Sequence, residues 1–286
     1  MIIDIHTHAF PDKIAQAALR KMQGQCHTAL FSDGTGKGLA ESGKRAGTDL
    51  AVIQPVATNP EKVPHLNDWA IRLNQEARAE GLISFGAMHP ACAAWEEELE
   101  RLKAAGVPGV KLHPPYAGID IDDPRSIRIL RKCGELGLAV LIHSGLDIGI
   151  PGSLAAVPEK IRRALDRTGP LRIIAAHMGG WKRWKEAGRL LPETGAYLDT
   201  SFSLGSLTPA EDGHPWRGDE LRMLTEEEFC ELAGRFGADR VLFGTDSPWA
   251  DPGAEIRKIR NLPLKDGEKD LILGGNAAKL LRLQAR

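Results

Sequence analysis

The sequence predicts an α/β protein: a distorted (β/α)8 barrel built as one domain over residues 1–286. Three features point there. Eight short β-branched or apolar runs recur along the chain, amphipathic stretches lie between most of them, and glycines such as Gly106 and Gly137 close helical stretches just before the next run. Strand, helix, glycine, strand is the rhythm of βα units. Eight repeats in this length favour a closed barrel over an open doubly wound sheet.

In chain order, Ile2–Ile5 opens with three isoleucines in four positions. Leu50–Val56, Leu82–Ala87, Gly109–Leu112, Ala139–Ile142, Arg172–Ala176, Ala196–Asp199 and Arg240–Phe243 follow, most of them rich in the Val, Ile and Leu that suit a buried pleated surface. The helical stretches are Leu66–Glu80, Ala94–Ala105, Pro124–Leu136, Pro158–Arg167, Lys182–Leu191 and Glu226–Phe236. In the second of these, Leu99, Leu102 and Ala105 form one face while Glu96, Glu98, Arg101 and Lys103 take the other. Two connections, at about residues 9–48 and 201–224, are too long for plain loops, the first with helical stretches and a Gly/Ser-rich piece at 32–38, the second rich in Gly, Pro and charge; such insertions on a barrel either build the substrate mouth or decorate the surface. No GxGxxG or phosphate-binding loop follows the first run.

Composition narrows the function classes. Hydrophobic residues are 42% and charged residues 26% of the chain, and 37 basic against 38 acidic side chains give a net charge of -1. A global field able to hold nucleic acid or an anionic membrane is therefore not expected. No apolar run is long enough to span a bilayer, and the first residues lack the basic start and apolar stretch of a signal peptide. Cys26, Cys92, Cys133 and Cys230 are scattered without CxxC spacing, as in a reduced, cytoplasmic protein. The expected partner is a small molecule, with a homo-oligomer left open.

Polar residues fall in register with the strand ends. His6 and His8 end the first run; His89, His113, His143 and His177 follow the third to sixth, and Asp199 and Asp246 end the seventh and eighth. In a parallel barrel these positions share the C-terminal rim, where barrel active sites form. Alternation sends His6 and His8 to one side, with Asp4 a step deeper in a supporting place. His6, His8, His143 and Asp246 together offer three imidazoles and a carboxylate. That set suits one divalent metal ion, Zn²⁺ first, with Mn²⁺, Fe²⁺ or Co²⁺ as alternatives. His177, followed by Gly179 and Gly180, is either a further ligand or a general acid/base; Asp246 either binds metal and takes a proton or caps a helix opening at Ser247 and Pro248. Lys111 is costly to bury unless paired. It would bind a substrate carboxylate, or be carbamylated between two metals; the unmodified lysine and one metal are preferred. His113 shares its face. Arg217 and Trp249 complete the substrate-binding candidates.

Asp4-Ile5-His6-Thr7-His8, Val110-Lys111-Leu112-His113-Pro114, Ile142-His143-Ser144-Gly145, Ala176-His177-Met178-Gly179-Gly180 and Phe243-Gly244-Thr245-Asp246 occur in the order seen in the amidohydrolase superfamily. The chain most resembles its amidohydrolase 2 branch, which includes aminocarboxymuconate semialdehyde decarboxylase, and Ile272–Leu281 resembles that branch's C-terminal helix. The resemblance implies a metal-dependent TIM barrel, with His6, His8, His143 and Asp246 as ligands and His177 as the active-site acid/base.

Three functions compete. The leading expectation is a metal-dependent hydrolase of an amide, lactone or ester-like bond, with Asp246 taking the proton of the attacking water and His177 assisting the leaving group. The alternative uses the same residues for non-oxidative decarboxylation of an aromatic or unsaturated acid. It needs a cation for the carboxylate, from Lys111, Lys182, Arg183 or Arg217, whereas a hydrolase of neutral substrates would leave these facing solvent. A catalytically inactive barrel used as a binding protein is the third; the full set of polar strand ends argues against it.

Overall fold

The computed structural model describes residues 1–283. Nine strands occur among them: β1 (Ile3–Thr7), β2 (Leu50–Ile53), β3 (Leu82–Ser84), β4 (Gly86–Ala87), β5 (Gly109–Leu112), β6 (Ala139–Ile142), β7 (Arg172–Ala175), β8 (Tyr197–Asp199) and β9 (Val241–Leu242). One more than expected arises because the third run divides at Phe85: its first part pairs with β2 and its second with β5. All neighbours are parallel and follow chain order, β1 to β3 and β4 to β9. The two ends of this ribbon meet. Ile5 N–H donates to Phe243 O at 2.9 Å, Asp246 N–H to His6 O at 2.8 Å and His8 N–H to Ser247 O at 2.6 Å. The chain is therefore a (β/α)8 barrel, closed between β1 and the segment leaving β9.

The helices are α1 (Asp12–Cys26), α2 (Gly36–Ala46), α3 (Val63–Glu76), α4 (Trp95–Ala104), α5 (Pro114–Ala117), α6 (Pro124–Leu136), α7 (Pro158–Leu165), α8 (Trp184–Leu190), α9 (Glu226–Phe236), α10 (Pro252–Asn261), α11 (Asp266–Asp270) and α12 (Asn276–Leu281). Their ends follow local chemistry. Before α6, the Asp123 carboxylate accepts from Arg125 N–H, and Gly137 closes the helix at φ 65°. Thr225 and Glu228 form a reciprocal capping box at the start of α9. Asp251, rather than Asp246, caps α10 by accepting from Ala254 N–H at 2.6 Å, so Asp246 is free for other work.

Both strand faces are buried, as a barrel requires. On β6, Val140 and Ile142 join a cluster with Leu99 and Leu102 of α4, Ile127 and Leu130 of α6 and Ile161 of α7. The alternating Ala139 and Leu141 join Ile5, Val52, Phe85, Ile174 and Leu242, packed on Ala277 and Leu280 of α12. Residues 9–48 fold into α1 and α2, while 201–224 form turns without a helix or strand. The two segments are joined: Ala29 N–H donates to Thr208 O at 2.9 Å and Ala210 N–H to His27 O at 2.8 Å. Among the described residues no helix is long and apolar enough to cross a membrane.

Candidate metal centre and cavity

The strand ends converge on a cavity of about 650 Å³ at the barrel mouth, roofed by Ile14, Ala18 and Met22 of α1. His6, His8, Lys111, His113, His143, His177, Asp246 and Trp249 all line it. Nε2 of His6, Nε2 of His8 and a carboxylate oxygen of Asp246 lie within 4.8 Å of one another. Asp246 Oδ1 stands 3.0 Å from His8 Nε2 and 3.5 Å from His6 Nε2. Bonds of about 2.1 Å to a tetrahedral cation place its ligand atoms about 3.4 Å apart, so the spacing fits.

Supporting groups fix these side chains. His6 Nδ1 lies 2.9 Å from Asp199 Oδ2; with Nδ1 as the donor, Nε2 keeps its lone pair toward the cluster, where Lys111 Nζ stands 3.1 Å away. Asp199 is fully buried; its Oδ1 accepts from His177 N–H at 3.0 Å, Ser201 N–H at 3.1 Å and the Ser201 hydroxyl at 2.5 Å. Burial alone would raise its pKa, but the His6 and His177 rings and the Ser201 hydroxyl hold it at about 2. Burial likewise opposes ionisation of Asp246, and the His6 and His8 rings outweigh it, keeping the carboxyl below the usual range. Burial above all lowers His6, His143 and His177, the last to about 3, so the His177 ring is neutral at rest. Asp4, below the site, is raised by burial to about 8 and ties β1 to the β9 end through Thr245 N–H at 3.0 Å and Thr245 hydroxyl at 2.6 Å. Asp199 and Asp246, both held below the usual carboxylate range, are thus buried beside the Lys111 amine. Buried carboxylates and neutral imidazoles grouped this closely are the kind of donors that would suit a divalent cation.

His177 and Asp246 sit in left-handed backbone, φ 57° and 66°. Such conformations cost non-glycine residues about 1–2 kcal/mol and persist where the surroundings enforce them. Met178 N–H donates to Asp199 O at 2.7 Å and Asp246 N–H to His6 O, locking both turns.

The expected four-ligand set is divided. His143 lies outside the His6–His8–Asp246 group because its Nε2 engages Leu146 O at 2.9 Å; its Nδ1 stands 3.2 Å from His177 Nε2. It groups instead with His113 and Asp147. The four candidate cations separate sharply. Lys111 is buried, with Nζ 3.1 Å from His6 Nε2. Lys182 donates to the carbonyls of Asp219, Glu220 and Arg222, and Arg183 pairs with Glu186 at 3.0 Å. Arg217 is a correction: its side chain is 85% exposed beside Glu220 and does not reach the cavity. Neighbouring His214 and Trp216 pack on His27, which carries Arg217 outward. Trp249 presents its edge to the His8 ring, with centroids 5.4 Å apart. His89, also at a strand end, accepts from Ala91 N–H outside the cavity.

Sequence reasoning missed Asp147, Ser201, Gln54 and His65 as site residues. Asp147, Gln54 and His65 line the cavity, and Ser201 lies 2.9 Å from His177 Nδ1. Asp147 had a signal, a carboxylate four residues beyond a strand-end histidine; His65 sits on α3 and had none.

The family model for amidohydrolases matches residues 3–283. This chain belongs to the amidohydrolase family. It is 27% identical over 243 residues to the 2-amino-3-carboxymuconate-6-semialdehyde decarboxylase of Dictyostelium discoideum, an alignment covering 77% of this chain and 66% of that protein. An uncharacterized TIM-barrel protein from Bordetella bronchiseptica superposes with a TM-score of 0.74 at 19% identity, covering 98% of each chain. The 5-carboxyvanillate decarboxylase of Novosphingobium aromaticivorans, solved with manganese and 3-methoxy-4-hydroxy-5-nitrobenzoic acid, superposes with a TM-score of 0.70 at 15% identity, covering 99% of this chain and 97% of that one. At these identities the structural likenesses establish the barrel fold.

Proposed function

We propose that the protein is a metal-dependent carboxy-lyase that removes carbon dioxide from a small aromatic or unsaturated acid. The observation that carries this reading is Lys111: of the four candidate cations it alone is buried at the cavity, against the imidazole cluster. A hydrolase of neutral substrates has no use for an ammonium there. The decarboxylases among the relatives support the same choice over hydrolysis, which was the leading expectation from sequence.

His6, His8 and Asp246 would hold the cation, with His143 the fourth candidate. The donor set suits zinc, and manganese is the ion in one structural neighbour. When bound, the ion supplies positive charge that fixes the acid and stabilises the negative charge developing during bond cleavage. Lys111 binds the carboxylate. His177 is neutral at rest; an incoming anion favours its protonated form, so the ring gains its proton as substrate enters. It then delivers that proton to the carbon bearing the carboxylate. The carbon–carboxylate bond breaks, its electron pair stays on the ring or chain carbon, and carbon dioxide leaves. Leu146, Ile148, Phe202 and Trp181 give an apolar wall that excludes water.

The test offers metal-loaded protein a panel of hydroxybenzoates and unsaturated acids alongside lactones, esters and amides. Carbon dioxide release from an acid is expected. Hydrolysis of a neutral carbonyl compound with no release from any acid contradicts the reading.

A further inference from the structure

Resting on that carboxy-lyase reading, we infer that Asp147 is a specificity-determining residue that accepts a hydrogen bond from a hydroxyl or amino group of the acid. Its residue surface is only 8% exposed, yet it lines the cavity. Oδ1 is occupied: it accepts from Gly149 N–H at 2.8 Å and Ile150 N–H at 2.9 Å. The Tyr116 hydroxyl packs closely on this turn, since a Cβ at Gly149 would stand 2.5 Å from Tyr116 Oη. Oδ2 accepts no hydrogen bond among the described residues. The nearest donors are Nε2 of His143 at 3.4 Å and Nε2 of His113 at 3.5 Å, both too long. His143 Nε2 is already spent on Leu146 O, and Nδ1 of His113 is also buried without a partner.

An acid that fills the cavity lined by Asp147 strips water from Oδ2 and leaves this oxygen without a donor unless the acid brings one. The missing partner is an O–H or N–H on the substrate, carried away from the carboxylate that Lys111 takes. A site built to hydrogen-bond such a group rejects the analogue that lacks it, because the oxygen is then desolvated for nothing. A methoxy group, an acceptor only, is rejected for the same reason.

The test measures binding of benzoate and its hydroxy, amino and methoxy isomers to the manganese-loaded protein, in wild type and Asp147→Asn. Asparagine keeps both amide bonds through Oδ1 and places Nδ2, a donor, where the acceptor stood. At least one hydroxy or amino isomer should bind tenfold or more tightly than both benzoate and its methoxy counterpart. In Asp147→Asn that preference should vanish or invert toward methoxy. A ratio unchanged by the substitution overturns the inference, as does benzoate matching every donor-bearing isomer in wild type. A second equivalent of manganese that Asp147→Asn releases also overturns it, since Asp147 would then be a ligand with His113 and His143. If none of these acids binds, the carboxylate reading falls with it.

Discussion

Asp199 shows how much one buried carboxylate can organise. It sets the tautomer of His6 from one oxygen and, from the other, holds the backbone of His177 and the hydroxyl of Ser201. Groups in this position commonly change metal affinity by 10–100-fold. Asp199→Asn should weaken metal binding by about that factor, read by competition with a chromogenic chelator. His177 plays a different part: His177→Asn should retain the ion but lose about 100-fold or more in turnover, and unchanged kinetics would remove its role. Lys111 gives a pH signature. Burial lowers its pKa to about 8, so it is an ammonium below that pH and neutral above it. Affinity for the acid should hold at lower pH and fall as the pH rises through about 8, or earlier once a cation sits beside it. Lys111→Met should bind weakly with no such fall; the check is a titration of binding against pH in both proteins.

At the scale of elements, the barrel was legible because each βα unit carries its own punctuation. Gly109–Leu112, Ala139–Ile142, Pro124–Leu136 and Glu226–Phe236 match the observed boundaries. Other ends moved by a few residues where tertiary pairing decides: α3 begins at Val63, earlier than periodicity suggested, and ends before a 3₁₀ turn at Arg78–Glu80. The division at Phe85 and the turns of 201–224 were not legible, since they depend on contacts between distant segments. The same holds for the site. Strand-end position puts His6, His8 and Asp246 on one rim, and the fold brings them together, but nothing in the chain near His143 reveals that Leu146 O captures its ring, or that Arg217 follows His214 and Trp216 outward. Close backbone approach is testable at Gly145, which sits at φ 93° where a Cβ would stand 2.1 Å from Trp181 N. Gly145→Ala should destabilise the fold by about 3 kcal/mol or more. Gly24→Ala, in α1 with nothing within 4 Å of its Cβ, should stabilise by about 0.5–1 kcal/mol. Denaturant midpoints distinguish the two.

For the molecule as a whole, a near-neutral chain gathers buried carboxylates and imidazoles at one end of a closed barrel, beside two joined insertions. Family membership and fold are evident from the barrel, whereas on the proposed reading the substrate would be set by loop residues such as Asp147 and Trp249. The gathered donors make the cation the centre of the account. The most direct test compares metal content and carbon dioxide release in wild type and a His6→Ala, His8→Ala double variant, both exposed to the same divalent metal. Wild type should hold one ion per chain and release carbon dioxide, and the folded double variant should do neither. A double variant that keeps its ion and its full activity would contradict the account.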